Sequence, residues 1–140
     1  MWGVTHINRT DREDAIVYGT HIYGSLYGCS ANLLRDEEYL IKKVREAAEL
    51  ANSVIVSIFS YKFGTHSGVS VIAIVAESHI SVHTWPEYEY ATIDVYTCGF
   101  RAKPIIAFEY LAKSLNAKKI EVYISDRSLY NRASLLRTLY

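Results

Sequence analysis

The chain is short of the residues that build specialised frameworks. Two prolines in 140 residues give no proline-rich spacer and no repeated turn punctuation. Two cysteines, Cys29 and Cys98, could pair at most once, which is no disulfide scaffold. Met1 to Asp14 mixes charged and polar residues and lacks the apolar core of a secretion signal, so both thiols are expected reduced. The most apolar stretch, Val69 to Ala76, is far too short to span a bilayer. Charge of either sign is not in excess: fifteen basic groups balance fifteen acidic ones, which removes the electrostatic footprint of a nucleic-acid or anionic-membrane partner. Repeats, low-complexity tracts and charge blocks are missing too. A single cytoplasmic domain over residues 1–140 is expected, since this length holds one ordinary core.

What is abundant is apolar and tyrosine-rich. Half the residues are hydrophobic and twelve are tyrosines, which suit half-buried strands that are wet at one end. Residues 1–14 read as extended or frayed. Val17 to Leu26 reads as a strand, closed by the turn residues Gly28, Ser30 and Asn32. Leu40, Ile41, Val44, Ala47, Ala48 and Ala51 recur at helical spacing and predict a helix over Asp36 to Ala51, with Asp36, Glu37 and Glu38 favourably placed at its positive end. Strands follow at Ser53 to Tyr61, Gly68 to Glu77 and Tyr88 to Cys98. Pro104 opens a second helix bearing Phe108, Leu111 and Leu115, Asn116 stops it, and Lys119 to Ile124 forms a last strand before a polar tail. The order β-α-β-β-β-α-β, with short links between the central strands, predicts an α+β two-layer sandwich: a largely antiparallel sheet with both helices on one face. The other face must be covered or polar, so self-association is expected.

Chemistry concentrates in Glu77-Ser78-His79-Ile80-Ser81-Val82-His83-Thr84-Trp85-Pro86-Glu87. One reading is a metal site on His79 and His83 with Glu77 or Glu87. Four residues would align the imidazoles on a helix, but Val82, Thr84 and Pro86 favour an extended chain, in which they stand about 13 Å apart. A second is a hydrolytic triad of Ser78, His83 and Asp94, although the glycines of a nucleophile elbow are missing around Ser78. Among the other histidines, His6, His21 and His66 read as surface or hydrogen-bonded residues, and Trp85 as a loop anchor.

A third reading comes from resemblance. Gly68-Val69-Ser70, Glu77-Ser78-His79, His83-Thr84-Trp85-Pro86-Glu87-Tyr88 and Thr97-Cys98-Gly99, in that order, resemble the core of S-adenosylmethionine decarboxylases of the short prokaryotic type. The likeness thins beyond this stretch, while the segment around His21 to Tyr27 and the Ala107-Phe108 helix still fit. The resemblance implies self-cleavage between Glu77 and Ser78 into a chain of residues 1–77 and one of 78–140, with Ser78 becoming an N-terminal pyruvoyl group. That ketone forms a Schiff base with the substrate amine and accepts the electrons left when carbon dioxide departs, the role pyridoxal phosphate fills elsewhere. It further implies that His83 is the proton acceptor in processing, Ser70 a second processing residue, Cys98 the proton donor to the decarboxylated carbon, Glu87 the carboxylate holding the ribose, and Phe63 the aromatic stacked on adenine. The covalent pyruvoyl group would be the only cofactor, with no metal. The implied partners are a small-molecule substrate and further copies of the chain, giving two large and two small chains with substrate between protomers.

The chain departs from the common form of the family at Val71, Glu89, Thr92 and Tyr96, where glycine, glycine, alanine and phenylalanine are usual, and at Ser60-Tyr61, where a histidine is usual. The processing and decarboxylation positions match. The family includes an archaeal offshoot acting on arginine, and Glu89 is an added acidic group that reads either as a solvated strand residue or as a partner for a guanidinium. Retention of Phe63 and Glu87 favours S-adenosylmethionine for polyamine synthesis. Arginine decarboxylation is the alternative, and a binding domain that has lost processing is a second.

Overall fold

The computed structural model describes residues 17–129 and the backbone of 137–139; the segment 1–14 and His6 lie outside the described residues. Strand β1 (Gly19–Tyr27) is followed by two helices, α1 (Ala31–Arg35) and α2 (Glu37–Leu50). Then come β2 (Ile55–Lys62), β3 (Val69–Val75), β4 (Ser78–Trp85), β5 (Tyr90–Cys98), α3 (Pro104–Ser114), β6 (Lys119–Asp126) and a short β7 (Arg137–Leu139). All strands join one antiparallel sheet in the order β2-β3-β4-β5-β1-β6-β7. The α+β two-layer architecture is as expected, with three corrections. Ser78 to Trp85 is a strand of its own, because Ile80, Val82 and Thr84 alternate with His79, Ser81 and His83 at the strand period. Gly28, at φ +66°, turns the chain into α1 rather than into a simple loop, and part of the expected polar tail pairs as β7.

Local chemistry sets the helix ends. The Asp36 carboxylate accepts from the Tyr39 N–H at 3.0 Å, capping α2, an interaction typically worth about 1 kcal/mol. Pro104 opens α3 and Asn116, at φ +56°, ends it in the left-handed conformation asparagine tolerates. Lys43 ties the helices together, donating to Glu46 at 2.7 Å and to the Tyr110 hydroxyl at 3.0 Å, while that hydroxyl also donates to Glu46.

The core lies between the helices and one side of the sheet. Leu40, Val44, Ala47 and Ala48 of α2 and Ala107, Phe108 and Leu111 of α3 are buried with Ile22, Leu26, Val71, Ile80, Val82, Ile93 and Val95. Each large aliphatic side chain so enclosed contributes about 1.5–3 kcal/mol. Gly24 makes the layers fit, since a Cβ there would fall 2.1 Å from the Glu121 carbonyl oxygen and 3.0 Å from the Phe108 ring. Residues of the opposite parity form a face that no described element covers. Its central strands carry Tyr96 and, around a cavity of about 570 Å³ that also reaches Tyr123 and Arg127, His21, Tyr23, His79, Ser81, His83 and Asp94. Towards β2 the same face is apolar: Phe59, Tyr61, Ile72 and Ile74 keep 61%, 63%, 42% and 46% of their surface in solvent. No described helix is long and apolar enough to cross a membrane.

Candidate active site

Ala76 and Glu77 form the turn between β3 and β4, and Ser78 opens β4 opposite Val75. Both ends of Glu77 are held. Its carbonyl oxygen accepts from the Cys98 N–H at 2.7 Å, and its carboxylate accepts from the Val54 N–H at 3.1 Å. The next residue is strained: Ser78 has φ +150°, a region essentially reserved for glycine and costing about 1–3 kcal/mol. Its hydroxyl lies 3.4 Å from the Cys98 sulfur. A serine hydroxyl, a thiol and a hydrogen-bonded carbonyl thus meet at one strained peptide bond. Cys29, by contrast, is buried in the core, and burial first, with the Glu89 charge second, pushes its thiol up to about 11.

The far end of β4 carries a second group. Ser70 and His83 are cross-strand neighbours, with the serine hydroxyl 2.8 Å from His83 Nδ1. The strand is anchored there by Thr84, buried on the helix side: its hydroxyl donates to the Leu34 carbonyl at 2.8 Å and accepts from the Val69 N–H at 2.9 Å. Pro86 then starts a 3₁₀ turn that displays Glu87, and Glu89 closes it at φ +49°. A cavity of about 380 Å³ opens beside this turn, lined by Phe63, His66, Ser70, His83, Trp85 and Glu87. Phe63 and Glu87, expected to hold substrate, therefore share one cavity with the expected processing pair. Trp85 and His66, read as a loop anchor and a surface residue, also line it; the place of Trp85 directly before Pro86 was a signal available in the sequence, whereas His66 comes from the separate link between β2 and β3. Glu89, the candidate guanidinium partner, is exposed and does not line this cavity.

The two groups do not meet within one chain. His83 lies five positions along the strand from Ser78, a span of about 16 Å. Between them lies a bridge in which both Asp94 carboxylate oxygens are taken, one by His79 Nε2 at 2.8 Å and the other by His21 Nε2 at 2.9 Å. That arrangement overturns both early alternatives. His79 and His83 stand far apart on an extended strand with separate partners, so they do not share an ion. Asp94 orients His79 and His21 rather than His83, and Ser78 is out of reach of His83, so no hydrolytic triad is assembled.

Comparison with known proteins shows the family. The sequence model of the S-adenosylmethionine decarboxylase family matches residues 20–128. The S-adenosylmethionine decarboxylase proenzyme of Pyrobaculum islandicum is 53% identical over 115 residues, covering 82% of this chain and 92% of that protein. The arginine decarboxylase proenzyme of Ignicoccus hospitalis is also 53% identical, over 126 residues, covering 89% of this chain and 87% of that protein. The crystal structure of the adenosylmethionine decarboxylase from Aquifex aeolicus superposes with a TM-score of 0.75 at 37% identity, covering 86% of this chain and 99% of that one. This chain belongs to the S-adenosylmethionine decarboxylase family.

Proposed function

We propose that the chain is the precursor of a pyruvoyl-dependent decarboxylase, cut by its own Ser78, with S-adenosylmethionine as substrate and polyamine synthesis in the cytoplasm as its setting. The observation that carries this reading is the Glu77–Ser78 peptide bond, strained at Ser78 and hydrogen-bonded at the Glu77 carbonyl. Attack of the Ser78 hydroxyl on that carbonyl forms a C–O bond and releases the Ser78 nitrogen, leaving an ester. The Cys98 N–H points at the oxygen on which negative charge develops, as a main-chain oxyanion donor does. Removal of the Ser78 α-proton by an imidazole then breaks the ester C–O bond. The large chain is released with a carboxylate on Glu77, and water displaces the nitrogen as ammonia. The residues around Ser78 fit the resulting pyruvoyl group, whose ketone supplies the electron sink for decarboxylation.

The remaining roles belong to ordinary side chains. Cys98, beside Ser78, donates a proton to the carbon that has lost carbon dioxide. Glu87 holds ribose hydroxyls and Phe63 stacks on adenine. Since the His83 cavity lies about 16 Å from Ser78 along β4, the complete site takes Ser78 and Cys98 from one copy and Ser70, His83, Phe63 and Glu87 from another. Two copies paired through their uncovered faces would satisfy this, and would cover the apolar patch of Phe59, Ile72 and Ile74. After processing, that dimer holds two large and two small chains.

An aromatic beside a carboxylate suits an adenosine group, which places S-adenosylmethionine first. Arginine is the second reading, carried by the Ignicoccus relative, whose likeness extends over 89% of the chain. An intact mass spectrum followed by carbon dioxide release from labelled S-adenosylmethionine and labelled arginine tests both. Two chains meeting at Glu77 and Ser78, the second lacking its amine, are expected, with S-adenosylmethionine the better substrate. A single uncut chain inert to both labels would overturn the proposal, and preference for arginine would reassign the substrate.

A further inference from the structure

The Cys98 sulfur has a second polar neighbour, the Tyr96 hydroxyl at 3.6 Å, to which the thiol hydrogen points. Residues two apart on a strand project to the same side, and β5 turns Tyr96 and Cys98 together onto the uncovered face. The phenol occupies a built niche. Gly19 of β1 is the cross-strand partner of Cys98, and a Cβ at Gly19 would lie 2.8 Å from the Tyr96 hydroxyl oxygen and 3.1 Å from a ring carbon. The space for this hydroxyl therefore depends on a missing side chain next to the proton donor. The ring is fixed on its other sides: the Arg127 guanidinium sits 4.4 Å from its centroid, and the His21 and His79 rings pack at 5.8 Å and 5.9 Å. The hydrogen bond to Cys98 and then burial raise the Tyr96 pKa above the ordinary phenol value, and the charge of a Cys98 thiolate adds to this against the opposing Arg127. Tyr96 thus keeps its proton at neutral pH.

We propose that Tyr96 is a positioning residue for proton donation by Cys98, accepting the thiol hydrogen before transfer and donating its own hydroxyl hydrogen to the sulfur afterwards. The proposal rests on the reading of Cys98 as the proton donor. In the transfer the S–H bond breaks, its electron pair stays on sulfur, and the proton forms the new C–H bond on the carbon that lost carbon dioxide. Nothing is oxidised or reduced, and the thiol is restored by a solvent proton, the one that the overall decarboxylation consumes. A hydrogen bond to an ionised acceptor is roughly twice as strong as one between neutral groups, so the hydroxyl stabilises the thiolate more than the thiol. Transfer away from sulfur is thereby favoured.

The test is Tyr96→Phe, which removes one oxygen and keeps the ring. It is read first in uncut protein carrying Ser78→Ala, where no processed group exists. There the alkylation of Cys98 by iodoacetamide at pH 7 should slow about threefold, because the attacking sulfur has lost the hydroxyl that donates to it. Mere loosening of the packing would speed the reaction instead. In the processed enzyme, Tyr96→Phe should cleave fully, keep KM and lower kcat about tenfold. Alkylation that is unchanged or faster, or an unchanged kcat, would overturn the proposal. Cys98→Ser measured alongside separates the two levels. If it has lost turnover while Tyr96→Phe behaves as wild type, only the role of Tyr96 falls; if it turns over normally, the reading of Cys98 falls and takes this proposal with it.

Discussion

The two ends of β4 are equipped for different work. At the Ser78 end the backbone is strained and the carbonyl of the preceding residue is hydrogen-bonded, with a thiol next to the hydroxyl. At the His83 end the backbone is regular, Thr84 pins it to α1 and β3, and an imidazole held by Ser70 faces an aromatic and a carboxylate across a cavity. On the proposed reading, one end breaks a bond and the other moves a proton and holds a ligand. An extended strand keeps them apart, whereas a helix or a tight loop would have brought them together. The same five-residue spacing that looks like a compact motif in the sequence is a separator in the fold.

Ser78→Ala should erase the function of the first end altogether, giving uncut protein by mass spectrometry and no carbon dioxide release. Carbon dioxide release by an uncut Ser78→Ala chain would end the pyruvoyl reading. Next in size, Cys98→Ser is expected to cleave yet lose a factor of about 10²–10⁴ in kcat, the usual contribution of a general acid. Sharing of the ends between copies is tested by co-expression. His83→Ala alone should remain uncut. When it is co-expressed in equal amounts with Ser78→Ala, about half of the His83→Ala chains should be cut, because random pairing puts that share beside a copy with an intact His83. Cleavage that stays absent in the mixture would place both ends in one chain.

Smaller effects separate scaffold from chemistry. Thr84→Val strands a buried carbonyl and a buried N–H, and should cost about 1–3 kcal/mol in urea unfolding of the uncut Ser78→Ala background. The smallest effect concerns the other thiol. With the Cys29 pKa pushed up to about 11, only about one molecule in a thousand carries that thiolate at pH 8. Iodoacetamide at pH 8 should therefore label Cys98 and leave Cys29 untouched in the folded protein, which peptide mass mapping would show.

Much of this was legible in advance. Apolar periodicity announced α2 and α3, and the Val- and Ile-rich runs announced β2 and β3, because burial on one face imposes a period that composition cannot hide. β4 was harder. Its alternate positions are filled by His79, Ser81 and His83, so chemistry occupied the side that usually reads as an ordinary polar face. The short α1 escaped because Gly28, Ser30 and Asn32 are turn residues whichever way the chain leaves the turn. Phe63, Glu87, Ser70 and His83 were grouped by the resemblance alone, and the structure brings these four around one cavity. Their distance from Ser78 was not, since a linear motif records order along the chain and nothing about reach. Tyr96 was visible only as a departure from the common form, and its neighbours, Gly19 and Arg127, come from remote segments.

The place of the turn between β3 and β4 has a topological consequence. A cut after Glu77 leaves β1, β2 and β3 in the large chain and β4, β5 and β6 in the small one. In the sheet, however, β1 lies between β5 and β6. A strand of the first chain is thus threaded between two strands of the second, and helices from both share one core. A molecule nicked there would be a weave rather than a pair of docked pieces. Its halves can part only by dismantling the sheet, so the cut would change the covalent chemistry at one residue while leaving the architecture as it was.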